Sequence, residues 1–265
     1  MTIRFVKIIF FLIFLFFIFL YFSKVSLTYL NSGKIKFPGF NFQGIECIDD
    51  KVFLISYFDN KIYKLNEDKY LELFLDTNIE YKKKHIFSHV TSFYINENKF
   101  VGVNSMDKIN GIYLVSDLYS KILKNNNYKF FRLKSNLNHL EYFKLINEYE
   151  ILHKENDKNN TSIIEIHENG EKLCSINNKL SIQNIYFNHF DKTINFISNL
   201  AKHRIGVIYT FSLKDFCNLS LINYKNSEKI YIMTLPFQEL EGYTICNNKS
   251  YFVYINNKNS TIYVN

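Results

Sequence analysis

A segment of about fifty residues recurs five times along this 265-residue chain, and that recurrence limits the fold more than any other feature. The first copy reads Gln43-Gly44-Ile45, then residues 52–57, then 61–65; the last reads Glu241-Gly242-Tyr243, then 251–255, then 261–264. Anchored on their first strands, the copies begin near Gln43, Thr91, Glu141, Gln183 and Glu241, at separations of 48, 50, 42 and 58 residues. Each continues through a turn into a second apolar strand, then a third. In four copies a fourth follows, at residues 70–75, 129–133, 171–176 and 229–235.

The runs are β-branched and aromatic, and most are too short for helices. The turns between them are Asn/Asp clusters such as Asp49-Asp50, Asp59-Asn60 and Asn247-Asn248. Asn and Asp tolerate left-handed backbone and close turns on themselves, so they stand in for scarce glycine, of which the chain has 8. Four short strands per repeat predict an all-β, five-bladed β-propeller. The fifth copy lacks a fourth strand. Residues 34–40, just before the first blade, are left over, so ring closure by an N-terminal strand is expected there.

Ahead of the repeats lie fifteen unbroken apolar residues, 8–22, extended by Phe5 and Val6. At about 1.5 Å per residue, 5–22 matches a hydrocarbon core as one transmembrane helix. Arg4 and Lys7 flank its start with no acidic residue, which keeps the N-terminus cytoplasmic and sends the body across. No Ala-x-Ala-like cleavage site follows, which favours a retained signal-anchor over a cleaved signal peptide. The expected organisation is therefore residues 1–30 as the anchor and 31–265 as the propeller. The protein is placed in the membrane, single-pass, with its C-terminal domain periplasmic or otherwise extracytoplasmic.

The formal charge of +7 supports this division. Five basic residues and no acid lie in residues 1–36, which leaves the body near +2. The body is not a basic nucleic-acid-binding domain, and no nucleic-acid partner is expected. Four cysteines, Cys47, Cys174, Cys217 and Cys246, form no C-x-x-C pair, so a zinc knuckle is not indicated. Cys47 and Cys246 fall in the first and last repeats, which neighbour each other if the ring closes. A disulfide and two buried thiols are both open at this point.

The innermost strand of each propeller blade lines a central channel. The register thus brings Gln43, Thr91, Glu141, Gln183 and Glu241 around one axis. Asn41, His89, His139, Ser181 and Glu239 lie two residues earlier. The candidate ligand-binding set is Gln43, His89, His139, Glu141, Gln183 and Glu241, with Glu141 and Glu241 as candidate metal ligands. Carboxylates that converge raise each other's pKa unless a cation or a proton is shared, so Ca²⁺ or Zn²⁺ is the cofactor to consider. No Gly-rich phosphate loop, H-E-x-x-H or G-x-S-x-G is present.

Phe42-Gln43-Gly44-Ile45 and Leu137-Asn138-His139-Leu140-Glu141-Tyr142 resemble inner-strand motifs of five-bladed propellers of the glutaminyl cyclotransferase type. Leu240-Glu241-Gly242 resembles the inner acidic position of calcium-dependent nucleotidase propellers, where one side chain per blade converges on a central ion. His89-Val90-Thr91-Ser92 and Gln183-Asn184-Ile185 depart from both patterns. The resemblance implies roles for Gln43, Glu141 and Glu241. Two functions follow as expectations. The first is a membrane-anchored propeller that binds an envelope protein partner or small ligand at its channel face. The second is a metal-dependent transferase or hydrolase that uses the channel carboxylates.

Overall fold

The computed structural model describes residues 25–28, 30, 33–76, 80–81, 84–85, 90–96, 99–104, 111–115, 128–131, 139–146, 149–156, 161–200, 205–233, 238–256 and 259–265. The apolar segment at 5–22 lies outside them. Among the described residues no helix is long and apolar enough to cross a membrane.

Two strands, β1 (Val25–Thr28) and β2 (Lys34–Pro38), precede the first full sheet. That sheet is the meander β3 (Phe42–Ile48), β4 (Lys51–Ser56), β5 (Lys61–Leu65) and β6 (Leu71–Asp76). A small ribbon follows, β7 (Glu80–Tyr81) with β8 (Lys84–His85). The second sheet runs β9 (Val90–Asn96), β10 (Lys99–Asn104), β11 (Gly111–Val115) and β12 (Tyr128–Phe131). The third runs β13 (His139–Ile146), β14 (Tyr149–Asn156), β15 (Thr161–Glu168) and β16 (Glu171–Asn178).

The fourth sheet takes β17 (Asn184–Asn188), β18 (Thr193–Leu200) and β19 (Ile205–Ser212). The chain then detours through helix α1 (Leu213–Cys217) and β20 (Leu221–Ile222) before the fourth strand, β21 (Lys229–Met233). During the detour β20 adds in parallel to β16 of the third sheet. The detour accounts for the longest repeat spacing in the sequence. The last sheet holds β22 (Glu239–Cys246), β23 (Lys249–Asn256) and β24 (Asn259–Val264).

Four of these sheets are antiparallel meanders, the form of propeller blades, so four blades stand among the described residues where the repeats led to an expectation of five. The last is composite: β2 pairs antiparallel with β24, from Lys34 opposite Tyr263 to Pro38 opposite Asn259. The stretch left over by the repeat arithmetic thus supplies the outer strand of the last sheet. β1 pairs in parallel with β21 at the outer edge of the fourth sheet, Val25 opposite Ile230, so β structure begins before residue 31. The innermost strands pack in the order β3, β9, β13, β17, β22 and back to β3, which makes the arrangement propeller-like.

Local chemistry explains the strands. The two-residue turns Asp49-Asp50 and Asn247-Asn248 both take positive φ, 49° and 59° in the first and 50° and 60° in the second. Consecutive positive φ angles match the right-handed twist of a tight hairpin, and Asp and Asn bear them at low cost. Second strands are apolar without alternation because both of their faces are covered. In β4, residues 52–56 are all buried. The core is layered between sheets: Phe42, Ile45, Leu54, Val253 and Ile262 between first and last, and Ile197, Leu240, Phe252 and Tyr254 between fourth and last.

Two disulfides tie elements distant in sequence. Cys47–Cys246 joins β3 to β22, with Cα atoms 5.5 Å apart. Cys174–Cys217 ties β16 to the end of α1, with Cα atoms 5.4 Å apart. The first resolves the alternative left open by the sequence. The second depends on the detour, which no local pattern announces.

Candidate functional site

Four of the five register positions occupy the same irregularity of the innermost strands. In β3, Phe42 opposes Ser56 and Gly44 opposes Ile55, so Gln43 is an extra residue. Thr91 is extra between Val90 and Ser92, Glu141 between Leu140 and Tyr142, and Glu241 between Leu240 and Gly242. At β17, Asn184 opposes Ile197, and the N–H of Gln183 also donates to the Ile197 carbonyl at 2.8 Å. Gln43, Thr91, Glu141 and Glu241 are thus β-bulges, a device that re-aims a side chain and ends regular pairing, whereas Gln183 sits just ahead of β17, which pairs without a register shift.

Around Glu241 the geometry is fully described. The Asn199 side chain, from β18, accepts from the Leu240 N–H at 2.9 Å and donates to the Leu240 carbonyl at 3.0 Å. The amide therefore mimics a strand partner just where the bulge interrupts the ladder, and it fixes the backbone between Glu239 and Glu241. Gly242 follows because β3 lies against it: a Cβ there would sit 2.8 Å from Ile45 Cγ2. The glycine of the Glu-Gly motif is a packing requirement of the seam.

Glu241 is 6% exposed. Its carboxyl is pushed up to about 8, first by burial, then by the negative charge of Glu239 and by a hydrogen bond with that side chain. Below that pH Glu241 keeps its proton and donates it to Glu239. The convergent pair is thus reconciled by a shared proton, one of the two solutions open to it. Gln183 donates from Nε2 to Glu239 Oε1 at 3.4 Å and brings the fourth sheet into the same cluster. Nearby inner strands bury further polar groups: Asn184 is 1% exposed with neither amide atom hydrogen-bonded, and Thr244 Oγ1 is likewise buried without a partner.

The predicted residues can now be placed. Gln183 and Glu241 come together through Glu239. Gln43 is half-buried at the bulge of β3. His139 and Glu141 are placed by their backbone at the start of β13. His89 lies outside the described residues. Among the described residues no group of three or more His, Cys, Asp or Glu side chains is arranged to hold a metal ion. His153 is buried with Nε2 2.7 Å from Ser162 Oγ. Sequence reasoning missed Asn199 and Asn184, because in so Asn-rich a chain a structural asparagine carries no distinguishing signal.

No family model matches the sequence, and no curated protein matches it. Solved structures do match in shape. A candidate gluconolactonase aligns with 89% of this chain and 94% of its own, at TM-score 0.46 and 8% identity. The gluconolactonase XC5397 of Xanthomonas campestris aligns with 81% of this chain and 69% of its own, at TM-score 0.44 and 6% identity. A prolyl endopeptidase aligns with 77% of this chain at TM-score 0.35 and 11% identity, and the match spans only 29% of that protein. These neighbours do not show a kinship with glutaminyl cyclotransferase or nucleotidase propellers.

Proposed function

We propose that the protein is a membrane-tethered, extracytoplasmic propeller, its composite sheet counting as a fifth blade, that binds a polar ligand or protein partner at the channel end where Gln183, Glu239 and Glu241 meet. The observation that carries this reading is the proton-sharing carboxyl pair set on a bulge and braced by Asn199. Burying two carboxyls in contact opposes folding. A ligand with N–H or O–H donors, or a cation that displaces the proton, would use the acceptors they present.

The tether reading rests on the apolar segment 5–22, and the two disulfides accord with an oxidising compartment. Residue 25 begins β1 at the rim of the fourth sheet, so the anchor would lead directly onto the body. Alkaline extraction of membranes and protease protection of the body in intact cells test this. Release by alkali, or digestion from the cytoplasmic side, would refute it.

A second reading is favoured by the common bulge position of Glu141 and Glu241: a Ca²⁺- or Zn²⁺-dependent transferase or hydrolase, with these carboxylates as ligands or general base. Thermal unfolding of the full chain in detergent, with chelator and then with each metal, separates the two. An ion at about 100 times its Kd should stabilise by roughly 2.7 kcal/mol. A rise abolished by Glu241→Gln supports the metal-dependent reading, whereas no rise supports metal-free binding and directs crosslinking toward a partner.

A further inference from the structure

Away from the channel, a cavity of about 380 Å³ opens between the fourth and last sheets. This lies within the range of small-molecule pockets. Its aromatic lining comes from four strands: Tyr186 of β17, Tyr231 of β21, Tyr243 of β22 and Phe252 of β23. Tyr186 and Tyr243 meet edge to face, ring centroids 5.3 Å apart at 80°, and Phe252 packs on Tyr243 at 5.0 Å. The rings are held by packing rather than free to collapse into the space.

Charge at the cavity is contributed by Asp191, Glu228 and Lys229. Glu228 is engaged, accepting from the Ser212 N–H at 2.8 Å. Lys229 is exposed. Asp191 sits in the turn between β17 and β18, with Oδ1 accepting from both N–H and Oγ1–H of Thr193, at 3.1 and 2.6 Å. These bonds orient the carboxylate, and burial first, with a smaller contribution from the Asp191 charge, pushes both the Tyr186 and Tyr243 phenols up. Those hydroxyls stay neutral, so the tyrosines add no negative charge of their own to the cavity.

We infer that this cavity binds a small alkylammonium cation, seated against Tyr186, Tyr231 and Tyr243 with Asp191 as counter-charge. Aromatic faces with one carboxylate attract a large, weakly hydrated cation. They are poor ligands for Ca²⁺ or Mg²⁺, which need six or more oxygens. An anion would meet two carboxylates and a single lysine.

The cation has two available sources, a free solute or a phospholipid headgroup. Val25 pairs with Ile230, next to cavity-lining Lys229. Only two residues separate Val25 from Phe22, where the apolar segment ends. If that segment spans a bilayer, the cavity lies near the headgroups.

The test is calorimetric titration of the full chain in a maltoside detergent with choline, and with 3,3-dimethylbutan-1-ol, its uncharged isostere. Choline should bind about tenfold more tightly than the alcohol. Asp191→Asn keeps the acceptor for Thr193 and so the turn, and it should remove most of that preference. Tyr231→Leu should weaken choline while sparing cooperative unfolding. Equal binding of the two probes, no choline binding, or an Asp191→Asn variant with unchanged preference would overturn the assignment. In nanodiscs, choline binding lost in phosphatidylcholine but retained in phosphatidylglycerol identifies the headgroup as the source. Binding retained in both identifies the free cation. Binding absent in both overturns the proposal.

Discussion

The last sheet has two neighbours and meets them differently. Its seam with the first sheet is apolar and locked. Cys246 is bonded to Cys47, Gly242 lets Ile45 against the backbone, and the hairpin tips join as Asn247 Nδ2 donates to the Asp50 carbonyl at 2.9 Å. Ser260 Oγ adds a bridge, accepting from the Phe42 N–H at 2.8 Å and donating to the Phe40 carbonyl at 3.0 Å. The seam with the fourth sheet is tight at one point, where a Cβ on Gly206 would meet Leu240 Cβ at 2.8 Å. Elsewhere it holds Gln183 on Glu239 and opens into the tyrosine cavity. A ring can be closed firmly at one joint, which leaves the adjacent joint free to keep polar groups and space. Closure and binding are divided between the two faces of one sheet.

The largest test of this contrast is to cut the covalent lock. Replacing both Cys47 and Cys246 by Ser opens a link of sequence separation 199. It should cost about 3–5 kcal/mol in denaturant unfolding, with the tyrosine cavity still able to bind its probe. A loss confined to ligand binding would contradict the division.

The second test addresses the polar seam through pH. Glu241 titrates near 4.5 when unfolded and is pushed up to about 8 when folded. The folded state therefore holds the extra proton, and stability falls as pH rises from about 4.5 to about 8, by on the order of a few kcal/mol. Glu241→Gln mimics the protonated form, so unfolding midpoints measured across that window should flatten and lie above wild type at the alkaline end. A variant with the same slope as wild type would place the titration elsewhere.

Gly242→Ala forces a methyl onto Ile45 and should cost about 1–3 kcal/mol, measured by urea unfolding. Ser260→Ala leaves the Phe42 N–H without its acceptor inside the locked seam and should cost about 1 kcal/mol by the same assay. Each should leave the pH slope intact, because neither substitution adds or removes a titrating group and both carboxyls of the Glu239–Glu241 pair are kept.

Much of the architecture was legible because its signals are local. Asp49-Asp50 and Asn247-Asn248 mark hairpins by their backbone preference alone. Continuous apolar runs such as 52–55 mark covered strands, and counting strands per repeat exposed the spare segment at 34–40. Even the bulge positions could be aligned, since Gln43, Thr91, Glu141 and Glu241 recur in register. That Glu239 rather than Glu141 is the described partner of Glu241 was not legible. Neither was the bracing role of Asn199, forty-one residues from Leu240.

The sequence by itself determined the strand lengths, the turns, the repeat register and the apolar segment ahead of them, because each depends on residues close along the chain. Tertiary structure alone decided which carboxyls share a proton, how β20 and Cys217 reach the third sheet, and that one seam closes while its neighbour opens. Those outcomes depend on how twisted sheets meet across long chain separations, where burial and the charge of a neighbour, rather than residue type, set the chemistry.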